Sequence, residues 1–255
     1  MRHRPVAVVL AGVIALVAAG CGGNDAPAPA RPIQQEAATT TSAAAGAAAP
    51  QALSPGPLEP GTYRTVDFRP ALSFRVGKDW GLLGDAENGI ALAPRFDPAT
   101  GPEQQLTFTA ARWVFDEPLL TDKERNANRE AHIRPAPGDV EAWLRANPYL
   151  KVGPSRPARL GGVGGVRFDV RVKEPPGPTN CPQYGEPHHC VYLFAITRGS
   201  GVEPIELVEV GGAPSRYILV EVKGQPVLAG VSAPPDQFED FVAEAGKVLE
   251  SVRFA

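Results

Sequence analysis

The 255-residue chain predicts an α+β fold: a curved antiparallel β-sheet with a long C-terminal helix and one shorter helix packed on it. Three observations predict it. Short runs rich in β-branched and aromatic residues recur from about residue 62 to 232, with turn residues between them. Connections this short suit antiparallel pairing, because parallel crossovers need far longer ones. The segment from Phe238 to Val252 repeats apolar residues at helical spacing over four turns. The window Val140–Asn147 does the same on a smaller scale.

In chain order, TYRTVDF and LSFRV read as strands separated by Arg69-Pro70-Ala71. GIALAPR follows a Glu87-Asn88-Gly89 turn, and Asn-Gly is a strong hairpin signal. LTFTAARWVF, residues 106–115, places Leu106, Phe108 and Ala110 on one alternating face. Asp139 is placed to cap a helix over Val140–Asn147 that Pro148 stops, with Val140, Trp143 and Leu144 as its apolar face. PARL and GVRFDVRV flank the glycine run 161–165. CVYLFAIT, EPIELVEV, SRYILVEV and PVLAGVS follow, with turns at Gly199-Ser200-Gly201, Gly211-Gly212 and Lys223-Gly224-Gln225. Pro234-Pro235 then precede the long helix, and Asp236, Glu239 and Asp240 favour its positive end. Its stripe of Phe238, Phe241, Val242, Ala245, Val248 and Leu249 should cover one face of the sheet, and Val252–Phe254 reads as a last short strand.

LSFRVGKDW resembles the opening of small bacterial envelope lipoproteins related to the PsbP-like fold. RYILVEVKGQPVLAGVSAPPDQFEDFVAEAGKVLESVRF resembles the close of a group of uncharacterised, mostly actinobacterial, exported proteins. These likenesses cover most of residues 60–255. They imply a shape and a location, and they bring no catalytic residue.

The chain begins MRHRPVAVVLAGVIALVAAGCGG. Arg2 and Arg4 supply a positive region, Val6 to Ala19 a short apolar one, and small residues lead to Cys21. That is the layout of a secretory signal peptide, residues 1–20. A membrane span would need ~20 apolar residues, more than this run holds. Ala18-Ala19-Gly20-Cys21 resembles the lipobox of bacterial lipoproteins, with Ala18 where leucine or valine is usual. The resemblance implies cleavage before Cys21, diacylglycerol on its thiol and acylation of the new amino terminus. Each buried methylene contributes ~0.8 kcal/mol, so two or more acyl chains anchor stably. The expected location is the extracytoplasmic face of a bacterial cell membrane.

Residues 21–60 are rich in Ala, Pro, Gly and Thr, with no aromatic residue. They cannot bury enough apolar area to offset chain entropy, so a disordered tether of roughly 35 Å mean reach is expected. Residues 61–255 then form a single α+β domain. The formal charge of −3 becomes −5 once Arg2 and Arg4 leave with the signal. No basic run or basic-aromatic pattern occurs, which argues against nucleic acid and against docking to anionic lipid through the domain itself.

With Cys21 assigned to lipid, two cysteines remain in CPQYGEPHHC, residues 181–190. An oxidising compartment favours a Cys181–Cys190 disulfide. Closing that segment stabilises a fold by ~2.5–3 kcal/mol in the chain-entropy picture. The competing reading is a metal site built from Cys181, Glu186, His188, His189 and Cys190. Structural zinc prefers spaced pairs, however, and thiolates oxidise in such a compartment. His188 and His189 then read as solvated loop residues.

Other candidates have bland readings that outweigh the sharp ones. The glycine run 161–165 lacks the Lys-Ser/Thr and the following helix of a phosphate loop, so it reads as a turn between strands. Residues 121–135 are charged without an apolar stripe, and Thr121 and Glu124 could form a capping box. A solvated segment outweighs a lid or partner-binding loop there. Trp80, Trp113 and Trp143 read as core before they read as a ligand pocket. No catalytic motif is found, and His132, His188 and His189 are the only histidines after Cys21. The expectation is a non-catalytic accessory protein of the cell envelope with no cofactor. It is held to the membrane by its N-terminal lipid and binds a partner protein or an apolar envelope ligand. The alternatives are a metal-binding protein using the Cys181–Cys190 loop and a carrier of envelope lipid.

Overall fold

The computed structural model describes residues 49–95, 103–111, 113–114, 131–132, 137–173, 190–195, 206–210 and 212–255. They form three sheets rather than one, with two helices, in the α+β class. The first sheet takes β1 (Gln51–Ala52), β3 (Gly61–Arg64), β4 (Leu72–Val76) and β17 (Arg253–Phe254), in that order. The central sheet begins at β10 (Leu150–Val152) and passes through β12 (Val163–Val172), β15 (Ser215–Val222) and β16 (Gln225–Ser232). It continues through β7 (Gln105–Ala110), β6 (Gly89–Pro94) and β5 (Trp80–Ala86) to β2 (Gly56–Leu58). The strand β11 (Arg156–Leu160) also pairs with β12. The third sheet runs β14 (Glu206–Val210), β13 (Cys190–Ala195), β8 (Trp113–Val114), β9 (Ala131–His132). Among the described strands only β1 with β3 is parallel.

The single sheet expected from sequence is split because the central strands are buried on both faces. In β15, Val220 and Val222 enter one core, while Tyr217 and Leu219 enter another. In β16, Val227, Ala229 and Val231 face the first core and Leu228 the second. Such strands read as near-continuous apolar runs, as SRYILVEV and PVLAGVS do. The first core lies under the first sheet and α2 (Phe238–Ser251); the second lies under α1 (Pro137–Ala146) and β13. The run 106–115 therefore divides: β7 belongs to the central sheet and β8 to the third.

Helix α2 buries Phe238, Phe241, Ala245 and Val248, the stripe read from the sequence, and Val252 is fully buried just past its end. Its N-cap is Gln237, with no side-chain cap. A guanidinium holds that end instead. Arg216 on β15 forks onto Asp169 of β12 at 2.7 and 3.1 Å and onto Glu239 of α2 at 3.1 and 3.2 Å. It also lies 5.3 Å from the centre of the Phe238 ring. The hydrogen bonds that Arg216 donates to Asp169, and then to Glu239, hold it still more firmly in its charged form, against the opposing effect of burial. Asp169 and Glu239 are solvent-exposed, so screening discounts the pair energies. Arg216→Ala is expected to cost about 1 kcal/mol in a urea melt, and Arg216→Lys to recover less than half, since an ammonium cannot fork. Full recovery by lysine would mean that stem packing on Phe238, rather than the fork, supplies the effect.

Helix α1 starts earlier than expected. Pro137 takes the first helical position, so Asp139 lies in the first turn instead of capping it. Arg145 binds Glu141 at 2.9 Å and also reaches the Gly153 carbonyl and the Ser155 hydroxyl. The Ser155 hydroxyl, with Arg145 behind it, holds the Glu141 carboxyl below its ordinary range.

The glycine run resolves into two roles. Gly161 and Gly162 have φ of +57° and +83° and turn β11 into β12. Gly164 and Gly165 lie inside β12. Residues 51–58, expected within the tether, form β1 and β2 and bury Leu53 and Leu58. Gly46–Ala255 clusters as one compact unit.

Candidate functional site

Cys21, Cys181, His188 and His189 lie outside the described residues, as do Thr121, Glu124 and Glu186. Cys190 opens β13, opposite Val210 of β14. No disulfide is seen among the described residues, and its expected partner Cys181 is not one of them. His132 sits on β9 in register with Trp113 of β8. Among the described residues no three His, Cys, Asp or Glu side chains gather to hold a metal ion. No helix there is long and apolar enough to cross a membrane.

Trp80 and Trp143 lie in different cores, and the side chain of Trp113 is outside the described part. Trp80, 3% exposed, packs on Phe241 in the first core with ring centres 6.1 Å apart. Trp143 packs on Phe194 at the second core, at 5.5 Å. The space between α2 and the sheets is filled by Phe74 and Phe108, themselves stacked at 6.0 Å, together with Trp80, Phe241, Ala245 and Val248.

Two open clefts flank Trp80. One, of about 430 Å³, lies between the segment Pro57–Pro60 and the residues Lys78, Asp79 and Arg95. Asp79 and Arg95 both adopt positive φ there, at 66° and 49°, and the Arg95 amide donates to the Asp79 carbonyl. The other, of about 780 Å³, runs along α2 past Arg75, Asp240, Glu244, Lys247 and Ser251. Each mixes both signs of charge with some apolar lining, and neither is an enclosed apolar cavity. An open cleft of this composition suits contact with another surface better than capture of a small apolar molecule.

No family model matches the chain. No curated protein matches it. Solved structures overlap with it only loosely, among them three of bacterial origin. Cyanobacterial PsbP (CyanoP) from Synechocystis sp. PCC 6803 is 8% identical, covering 76% of this chain and 92% of its own, with a TM-score of 0.38. LpqN of Mycobacterium tuberculosis, described as involved in cell envelope biogenesis, is 11% identical, covering 79% and 91%, with a TM-score of 0.35. A protein from Bacteroides thetaiotaomicron VPI-5482 is 9% identical and covers 72% of this chain, with a TM-score of 0.32. This chain spans 45% of that one. Overlaps this loose do not assign a fold family, and they transfer no function.

Proposed function

We propose that the chain is an exported, lipid-anchored, non-catalytic accessory protein of a bacterial cell envelope, whose folded part binds a partner. The observation that carries this reading is the N-terminal order of Arg2 and Arg4, the apolar run to Ala19, and Ala18-Ala19-Gly20-Cys21. The filled interface under α2 supports binding at the surface over carriage of a lipid inside. In the same reading Cys181 and Cys190 form a disulfide, supported by the even cysteine count that remains once Cys21 is acylated.

The test is the intact mass of protein recovered from membranes of a bacterial host. Cleavage before Cys21 with added acyl mass is expected, along with the loss of two hydrogens from the remaining thiols. Cys21→Ser should remove the acyl mass and either release the protein or leave its leader uncut. A membrane-bound Cys21→Ser protein of normal mature size would overturn the anchor. Free thiols carrying stoichiometric zinc or copper would replace the disulfide with the metal reading.

A further inference from the structure

Three arginines gather on the outer face of the first sheet, although no basic run occurs in the sequence. Alternation puts Tyr63, Leu72, Phe74 and Val76 into the core and turns the residues between them outward. Register then assembles the outward set. Arg64 of β3 lies opposite Ser73 of β4, and Arg253 of β17 lies opposite the same Ser73 from the other side. Arg75 stands two residues further along β4. Three exposed arginines thus surround one serine on one face. Arg253 donates to the Val252 and Glu250 carbonyls at 2.6 and 3.1 Å, and among the described residues none of the three has a carboxylate partner. The acids nearest in sequence are Asp67 and Glu250, and the cleft along α2 that borders this face sets Asp240, Glu244 and Glu250 among Arg75, Lys78, Lys247 and Arg253.

An apolar tip borders this face. Val66, in the bend just after β3, is 48% exposed, the one large apolar side chain so exposed among the described residues. Its loop is held from beneath. The Asp85 carboxylate accepts from the amides of Val66, Asp67 and Phe68 at 2.8, 3.4 and 3.1 Å. The Arg69 guanidinium donates to the Val66, Asp67 and Phe68 carbonyls. The loop thus holds one guanidinium charge and the Asp85 carboxylate close together.

We infer that this face, Arg64, Arg75 and Arg253 with Val66 at its edge, docks the folded unit onto an anionic phospholipid surface. Charge complementarity is the first argument, since bases outnumber acids on this face and its bordering cleft while the chain as a whole is acidic. The second is where the chain enters. The strand β1 is an edge of the same sheet, and its Ala52 sits in the row of Arg64. Roughly 30 residues separate it from Cys21, a coil reach of about 30 Å. Attachment through Cys21 would present this face to headgroups at high local concentration. The inference rests on the lipid-anchor reading for its setting but not for its chemistry.

Vesicle sedimentation tests it, using the chain from Gly22 onward, which keeps the whole compact unit and carries no lipid. Partitioning onto phosphatidylglycerol-containing vesicles is expected at 50 mM salt, with little onto pure phosphatidylcholine. It should be largely lost at 0.5 M salt. Each arginine exchanged for glutamine should weaken binding about 5-fold, and all three together about 100-fold. The triple lysine variant should retain most of the binding, and Val66→Ser should weaken it less than 10-fold. Unchanged thermal melts confirm that these exposed substitutions leave the fold intact. Equal binding to both vesicle types, or a triple glutamine variant that binds like wild type, overturns the inference. So does arginine-dependent binding to a soluble acidic polysaccharide with none to vesicles. Failure here beside normal acylation of Cys21 sinks the docking face alone. Vesicle binding without acylation sinks the anchor alone.

Discussion

Gly165→Ala is expected to destabilise the fold by about 3 kcal/mol, at the upper end for overpacked sites, or to prevent folding. A Cβ on Gly165 would collide with the Leu219 carbonyl oxygen and come within 2.8 Å of Val220 Cγ1. The obstacle is backbone of the paired strand β15, so no side-chain rotation relieves it. Gly164→Ala is the matched control. A Cβ there meets nothing within 4 Å, and alanine reduces the freedom of the unfolded chain. That variant should be neutral or stabilised by a few tenths of a kcal/mol. Urea midpoints of the two proteins, one residue apart, separate packing from backbone propensity. Equal midpoints would mean that β12 and β15 part locally to admit the methyl group at little cost.

The glycine run also shows what the sequence made legible. Its chemistry could be dismissed from composition alone, and the turn at Gly161-Gly162 follows from the flanking strands. That Gly165 is needed for close approach depends on which strand lies beside it. Helix α2 was readable because its periodicity is local, and Lys223-Gly224 because a two-residue turn with φ of +52° and +76° suits glycine and tight hairpins. The strand β5 was missed because WGLLGDA does not alternate, and its register shifts between Leu82 and Gly84. β1 and β2 were missed because residues 51–58 hold two prolines and little apolar content, yet Leu53 and Leu58 suffice to seat them. The division into three sheets was out of reach because face assignment is non-local. Thr107 and Thr109 look like a solvated face, but both are buried. The arginine cluster was hidden for the same reason, since Arg64, Arg75 and Arg253 meet only through register.

Phe241→Ala should remove about 3–5 kcal/mol, the usual loss for a large aromatic truncated in a packed core. Phe241 is 1% exposed and lies against Trp80, where the first sheet, the central sheet and α2 meet. Its loss leaves a void walled by Trp80 and the other rings of that core, which close only partly. On the outer side of the same helix, Glu244→Ala and Lys247→Ala should change stability by less than 0.5 kcal/mol, since both border the open cleft. The contrast bears on function as well as stability. A protein that admits an apolar ligand beneath α2 would have to lift the helix, and a helix that lifts easily gives up little when its main anchor is cut. A loss near 1 kcal/mol, together with uptake of a hydrophobic dye by the wild type, would revive the carrier reading. A loss of 3 kcal/mol or more, with no dye uptake, fixes α2 as core and leaves the outer surfaces to meet the partner.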